Sequence, residues 1–262
     1  MMARVFRKFS PPFVFLLAAA LLLFLGSLQA SSPTLGESDA NQAFLPLSLG
    51  TTWTYAGTVT STDPEADAMQ GVTTKAAITM KVEKVIQKPE MTLAVVSGYP
   101  RDLDWSNGQV ADLPTLLVET RKHEVFLNSL PPDFDYARLE KEGAPLDKLL
   151  AEDNLLFRWP LKAGMKFGEA ESVKREDGMY CWTVVEQRRK KLEGIPGLPA
   201  RTAEVFLLRF ATNPDDTQME LLPGVGILTY EYHHHGTVAD TSVSLVEFHP
   251  GGATPAPAGA SR

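Results

Sequence analysis

Residues 77–85, with the sequence AITMKVEKV, alternate between apolar and polar side chains. Successive side chains of a β-strand point to opposite faces, so Ile78, Met80 and Val82 are expected to share one face. The intervening polar side chains would then face solvent. A sheet with one wet face is typical of antiparallel pairing, because a parallel sheet is normally covered on both faces. This stretch therefore predicts an antiparallel sheet.

Similar short runs continue on both sides, rich in Val, Thr, Leu and aromatic residues and separated by Gly, Pro, Asn or Asp. Only residues 135–154 have a helical pattern, in two pieces on either side of Gly143. We predict a mainly β fold, either an antiparallel curved sheet or a half-barrel or sandwich, with one short helical segment near 135–154. The predicted strands are residues 52–61, 74–87, 91–97, 115–121, 124–127, 166–169, 180–191, 201–211, 218–222, 226–234 and 241–249.

The first thirty residues have the three zones of a secretory signal. A basic start carries Arg4, Arg7 and Lys8, and residues 13–25 (FVFLLAAALLLFL) are all apolar. This apolar stretch is shorter than the ~20 residues that a membrane-spanning helix needs. Cleavage is predicted after the small Ala30, and an uncleaved N-terminal anchor is the alternative. No Cys lies near the boundary, which argues against bacterial lipidation.

The predicted mature protein is acidic. Removal of residues 1–30 leaves 232 of 262 residues, and the loss of three basic residues moves the net charge from −7 to −10. Such a surface repels phosphate backbones and anionic lipid head groups, so no nucleic-acid partner is expected, and membrane contact only through an uncleaved signal. The single cysteine, Cys181, excludes an intrachain disulfide. We interpret it as a small buried hydrophobic residue, with an intermolecular disulfide as the alternative.

The organisation along the chain is predicted as a signal peptide (1–30), a flexible leader (31–42), a single β-rich domain (43–250) and a disordered tail (251–262). A short repeat divides the domain into halves 43–130 and 157–250. Residues 46–53 and 160–167 both read P-L-x-x-G-x-x-aromatic. The Pro gives an extended approach, the Gly permits a turn, and the aromatic residue begins an inward-facing strand position. Internal duplication and coincidence both account for two such short matches.

Two segments resemble those of a broad group of uncharacterised exported bacterial β-rich proteins. Residues 46–55 match P-L-x-x-G-x-x-W-x-Y, and residues 223–230 match a P-G-V-G-x-x-x-Y strand near the end of the same proteins. Where those proteins carry Ala before this second motif, this chain has Leu222. The resemblance implies an envelope-located β fold, such as a curved sheet like those of lipoprotein-carrier proteins, and it brings no catalytic residues.

The run of residues 231–237 (EYHHHGT) is the most conspicuous group of potential metal ligands. On a strand, Glu231, His233 and His235 would project from one face at steps of about 7 Å. Imidazole and carboxylate groups suit zinc or copper, and no other cofactor is expected. A closed site would need a further ligand from His123, His249 or an acid. The alternative, which we favour, is a solvent-facing strand end, because this spacing matches no defined metal motif.

No catalytic residue is predicted, because several motifs fail on inspection. Residues 102–108 (DLDWSNG) have the wrong register for a calcium loop and are interpreted as a β-turn at Asn107–Gly108. Gly224-Val225-Gly226 is interpreted as a turn rather than a phosphate loop, and Asn213-Pro214, which precedes Asp215–Asp216, is interpreted as a turn. No G-x-S-x-G nucleophile elbow occurs.

Aromatic side chains are expected to fill the core, but a curved sheet can also leave an apolar concavity for a ligand. The leading hypothesis is an exported, non-enzymatic envelope protein, periplasmic or extracellular, that binds an apolar small molecule or an envelope protein. A metal-binding protein or metal-dependent enzyme is the second hypothesis, and a module that docks through a sheet edge the third. The residues proposed to contact an apolar ligand are Trp53, Tyr55, Trp105 and Trp182.

Overall fold

The computed structural model describes residues 45–62, 71–104, 114–131, 133–141, 146–236 and 238–252. By internal contacts the chain divides into the units Met1–Gln42 and Ala43–Arg262, and the described residues all belong to the second unit. The predicted signal, its cleavage site and the leader lie outside the described residues, as does the tail from residue 253 onward. Among the residues described, no helix is long and apolar enough to cross a membrane.

The described domain is mainly β, as predicted. Twelve strands form one antiparallel sheet in the order β6-β5-β4-β3-β2-β1-β12-β11-β10-β9-β8-β7, and the sheet curves until it is nearly closed into a barrel. Of the predicted alternatives the structure therefore has the half-barrel. The strands are β1 (Thr52–Thr62), β2 (Gly71–Lys88), β3 (Met91–Ser97), β4 (Thr115–Thr120), β5 (Glu124–Ser129), β6 (Leu155–Arg158), β7 (Lys166–Phe167), β8 (Trp182–Leu192), β9 (Arg201–Ala211), β10 (Asp215–Leu222), β11 (Gly226–His234) and β12 (Ala239–His249).

Each half of the sheet is a six-stranded meander, and the two meanders join where β1 pairs with β12. Strands β6 and β7 are the edges of the sheet and lie near each other. Because all neighbours are antiparallel, the odd-numbered strands end and the even-numbered strands begin at one end of the half-barrel, which we call the mouth.

The alternating stretch of β2 behaves as the sequence predicts. Ile78, Met80 and Val82 are buried, whereas the polar residues between them are exposed. On β1, Trp53 and Tyr55 are fully buried. Each donates a hydrogen bond to a backbone carbonyl oxygen in the other half of the domain. The Trp53 indole donates to Val225 O (2.6 Å), and the Tyr55 hydroxyl donates to Ile227 O (3.1 Å). The hydrogen bond removes most of the free-energy cost of burying the N–H or O–H group of such a side chain.

The two copies of the P-L-x-x-G-x-x-aromatic segment make the same backbone hydrogen bonds. Gly50 N donates to Val82 O (2.9 Å), and Gly164 N donates to Val184 O (2.8 Å). Both glycines have positive φ, 79° and 86°, in the left-handed region that glycine adopts at little cost. The aromatic residues that follow, Trp53 and Phe167, are buried as predicted. The local structure is therefore equivalent in both halves, and a duplication of the whole domain stays a prediction.

Core side chains and a long hairpin loop lie at the end opposite the mouth. The loop between β8 and β9 reaches β12, where Phe248 N donates to Pro196 O (3.0 Å). A side chain at Gly197 would overlap the Phe248 carbonyl oxygen, since a Cβ atom would lie 1.6 Å from it. Leu45, Trp53 and Phe248 are buried at the same end. Open space is therefore expected at the mouth.

The predicted helical segment near 135–154 is present as short pieces: α1 covers Ala137–Glu140, and 3-10 turns form at Asp147–Leu150 and Glu152–Asn154. A second short helix, α2 (Ala170–Val173), and strand β6 were not predicted. Asn213 and Pro214 connect β9 to β10, as the predicted turn requires, and Thr212 N donates to Asp215 O (2.6 Å) across them; Asp215 and Asp216 begin β10. Pro100–Leu103 forms a 3-10 turn, and Asn107–Gly108 lies outside the described residues.

Candidate functional site

A cavity of about 550 Å³ lies inside the half-barrel at its mouth. Volumes of roughly 300–1,000 Å³ are usual for small-molecule sites. Its apolar wall includes Leu127, Leu156, Trp182, Phe210 and Met219. Its polar wall includes Arg101, Asp104, Ser129, Asp153 and Asp215. The cavity is therefore amphipathic rather than wholly apolar.

The register of the strands arranges the wall in layers. On β10, Asp215, Thr217 and Met219 line the cavity, as expected for alternate residues of one strand face. Met219 pairs with Tyr230, and Thr217 pairs with Tyr232 on one side and Phe210 on the other. Asp215 lies one layer nearer the mouth than Thr217. The aromatic layer is thus deeper in the cavity than the Asp215 carboxylate.

The carboxyl group of Asp104 lies deep in the polar wall, directly after the 3-10 turn Pro100–Leu103. The Tyr230 hydroxyl donates to its Oδ2 at 2.6 Å. Burial raises the pKa of Asp104 to about 7, although the Tyr230 and Thr241 hydroxyls and the Arg101 guanidinium act in the opposite direction. Asp104 is therefore able to exchange a proton with a ligand or with solvent near neutral pH.

Asp215 provides a second carboxyl group of opposite character. Its Oδ1 accepts hydrogen bonds from the Tyr232 hydroxyl (2.6 Å) and from His234 Nδ1 (2.8 Å). Burial raises the pKa of Asp215, but the hydrogen bonds from His234 and Tyr232 outweigh burial, and the net shift is downward. Asp215 therefore stays ionised at neutral pH.

The remaining polar groups of the wall are held in place. The Tyr99 hydroxyl, buried beside Met219, lies 3.8 Å from its Sδ, and burial raises the pKa of Tyr99. The Arg101 guanidinium lies 6.0 Å from the centre of the Tyr99 ring and donates to Ser129 Oγ at 2.7 Å. These contacts fix the one guanidinium of the described cavity wall against an aromatic ring.

The four aromatic residues proposed from sequence do not meet at this site. Trp182 lines the cavity, with its ring centre 5.3 Å from that of Phe210. Trp53 and Tyr55 do not line it; they are fully buried core residues with satisfied polar atoms. Trp105 lies outside the described residues. Only Trp182 is therefore placed by the structure where a ligand in this cavity would touch it.

The histidine run follows the predicted alternation. Glu231, His233 and His235 line an outer groove of about 510 Å³, and the rings of the two histidines lie 4.5 Å apart. His233 Nδ1 is hydrogen-bonded to Asp240 Oδ1. Within the described ranges no group of three or more His, Cys, Asp or Glu side chains is arranged to hold a metal ion. Zinc or copper binding by this run stays a prediction.

Sequence reasoning missed the polar wall because side chains that are hydrogen-bonded there come from distant parts of the chain. Asp104 and Tyr230 are 126 residues apart. The alternation of β11 did contain a signal, since it placed Tyr232 and His234 opposite to Glu231, His233 and His235. What the alternation lacked was any indication of which face encloses space.

Comparisons with known proteins give little further information. No family model matches the chain, and no curated protein matches it. One similar solved structure is a Bacteroides fragilis protein with a YmcC-like fold, described as exported. It has 9% identity and a TM-score of 0.37, over 79% of this chain and 99% of that one. Another, described as a lipoprotein of Parabacteroides distasonis, has 13% identity and a TM-score of 0.30 over the same shares. Both similarities are too low to indicate a shared function.

Proposed function

We propose that this chain is an exported binding protein that holds a small amphipathic molecule in the mouth of its half-barrel. The observation that carries the proposal is the cavity of about 550 Å³, whose lining combines aromatic and aliphatic side chains with charged groups. Natural small-molecule sites combine an apolar lining with a few placed polar groups in the same way.

Export is supported by the basic, apolar and small-residue zones of residues 1–30. The domain depends on no disulfide for its stability, since its single cysteine, Cys181, is free and buried. Periplasmic and extracellular locations are both compatible with this leader. The second candidate function is binding of an envelope protein. Such a partner would dock at the edge strands β6 and β7, where the sheet ends.

The proposal is tested by filling the cavity. Thr217 lies half-buried on the cavity side of β10, so Thr217→Trp would place an indole in the space for a ligand. Protein purified without detergent would be analysed by native mass spectrometry and by organic extraction. We expect a small-molecule adduct on the unmodified protein and at least a tenfold lower occupancy on Thr217→Trp.

The matched control is Ser244→Trp, which adds the same side chain at an exposed position of β12. It is expected to keep the adduct. An adduct retained equally by both tryptophan variants would place the ligand elsewhere and contradict the proposal. A protein that carries no adduct and binds no amphipathic probe would also contradict it.

A further inference from the structure

We propose that the cavity selects organic cations, in which an ammonium group is attached to an apolar body, with the Asp215 carboxylate as the counter-charge. This inference rests on the proposed function and names the class of ligand for the same site. It depends on three features of the wall: its charge, the Oδ2 atom of the Asp215 carboxylate and the position of the aromatic rings.

The charge of the cavity wall is negative. Asp104, with its pKa raised to about 7, is partly protonated at neutral pH; without it, the described wall still has two carboxyl groups, those of Asp153 and Asp215, against the single guanidinium of Arg101. Arg101 is already engaged by the Ser129 hydroxyl and the Tyr99 ring. An anionic ligand would therefore meet net repulsion, and a cationic ligand net attraction.

One oxygen of the Asp215 carboxylate accepts two short hydrogen bonds, and the other can accept a further contact. The strong hydrogen bonds from Tyr232 and His234 both reach Oδ1. Among the residues that the structure describes, the contact of Oδ2 is a long one of 3.4 Å with the hydroxyl of Thr212, which also lines the cavity. Such a carboxylate oxygen retains the capacity for a charge-assisted contact with a cation.

The aromatic layer lies next to this carboxylate. Thr217, two residues along the same strand face, pairs with Tyr232 and with Phe210, and Phe210 pairs with Trp182. All four of these residues line the cavity. Aromatic faces attract cations, and the attraction grows when water is excluded. A cation at Asp215 would therefore have its apolar body directed over these rings.

The test uses three probes that share a ten-carbon chain and differ in charge: decyltrimethylammonium and decyl sulfate, each below its micelle concentration, and 1-decanol below its solubility limit. Affinities are measured by titration calorimetry on the unmodified protein. We expect decyltrimethylammonium to bind about tenfold or more tightly than decyl sulfate, with 1-decanol between them. This comparison needs no variant and does not depend on how a substitution folds.

The variant Asp215→Asn then tests whether the Asp215 carboxylate is the group that attracts the cation. The amide keeps an oxygen to accept from Tyr232 and His234 but removes the charge, so affinity for decyltrimethylammonium should fall about tenfold while that for 1-decanol is unchanged. The matched control, Asp240→Asn, removes the same charge from the outer groove and should change neither affinity.

The outcomes separate this inference from the proposed function. Binding of decyl sulfate as tight as that of the ammonium probe would overturn cation selection while leaving a binding cavity intact. An equal loss of ammonium affinity in Asp215→Asn and Asp240→Asn would overturn the role of Asp215. If none of the three probes binds, the proposed function itself fails.

Discussion

At the scale of single residues, the two cavity carboxyl groups are the most informative side chains. Asp104 and Asp215 each accept from a tyrosine of β11, two residues apart on one strand face. Their pKa values are nevertheless shifted in opposite directions, upward for Asp104 by burial and downward for Asp215 by its hydrogen bonds. Carboxyl groups separated in this way take different protonation states at one pH, which lets a single cavity offer both a charge and a proton.

Stability should depend on pH through Asp104. Its pKa is raised from 3.8 to about 7 in the folded protein. Between these values the folded protein keeps a proton that the unfolded chain has released, so stability falls as the pH rises from about 4 to about 7 and then levels off. The expected loss is about 4 kcal/mol at most, from about 1.4 kcal/mol per pKa unit.

Urea unfolding of the unmodified protein and of Asp104→Asn at about pH 4 and about pH 8 measures this effect. The asparagine variant lacks the titrating group, so its stability relative to the unmodified protein should improve towards high pH. The control is Asp153→Asn, which makes the same substitution at an exposed carboxyl group of the cavity wall. A constant difference between the unmodified protein and Asp104→Asn would contradict the prediction.

At the scale of elements, several strands were predictable from local signals and others were not. The bounds of β3, β9 and β11 agree with the prediction, because each run is β-rich and each of its ends lies within two residues of a Gly, Pro or Asn. Strand β6 was missed because its four residues show no alternation: Leu155, Leu156 and Phe157 are all buried. Helix α2 was missed because its four residues contain too little periodicity to recognise.

The turns that open β1 and β7 give a prediction about the two halves. At Gly50 and Gly164 a Cβ atom would meet no neighbouring atom, so only the positive φ opposes alanine there. Gly50→Ala and Gly164→Ala should each destabilise the domain by about 1–2 kcal/mol in urea unfolding. Gly252→Ala is the control, since Gly252 also has open space around it but no positive φ.

Equal losses at the two turns are the expected result of equivalent local structure. A loss at one turn only would show that the two segments contribute differently despite their shared hydrogen bonds. The prediction of the repeat from sequence was possible because Pro, Gly and an aromatic residue have strong positional roles at a turn that enters a strand.

At the scale of the whole molecule, the site was predictable only in part. Trp182 was expected to contact a ligand and does line the cavity, whereas Trp53 and Tyr55 are core residues. Aromatic residues of a strand look alike in sequence whether they fill a closed end or line an open one. The difference depends on how far the sheet curves and where it is capped, which are properties of the complete strand order.

Export predicts a defined mature chain. After expression in a bacterial host, intact mass measurement of the periplasmic fraction and medium should find a protein that begins at Ser31, with 232 residues. Ala30→Leu should retain the full-length chain, because a larger side chain does not fit the small-residue position before the cut. Full-length unmodified protein in the cytosol would contradict export, and its recovery from membranes would support the uncleaved anchor.

The pairing of β1 with β12 makes the first and last strands of the domain ladder partners. Thr52 lies opposite His249, and Gly251 N donates to Thr51 Oγ1 at 2.9 Å. The strands therefore follow one another around the half-barrel in chain order, and the start of β1 lies beside the end of β12. A circular permutant, with these ends joined by a short linker and new termini between β6 and β7, would keep every strand pair of the sheet.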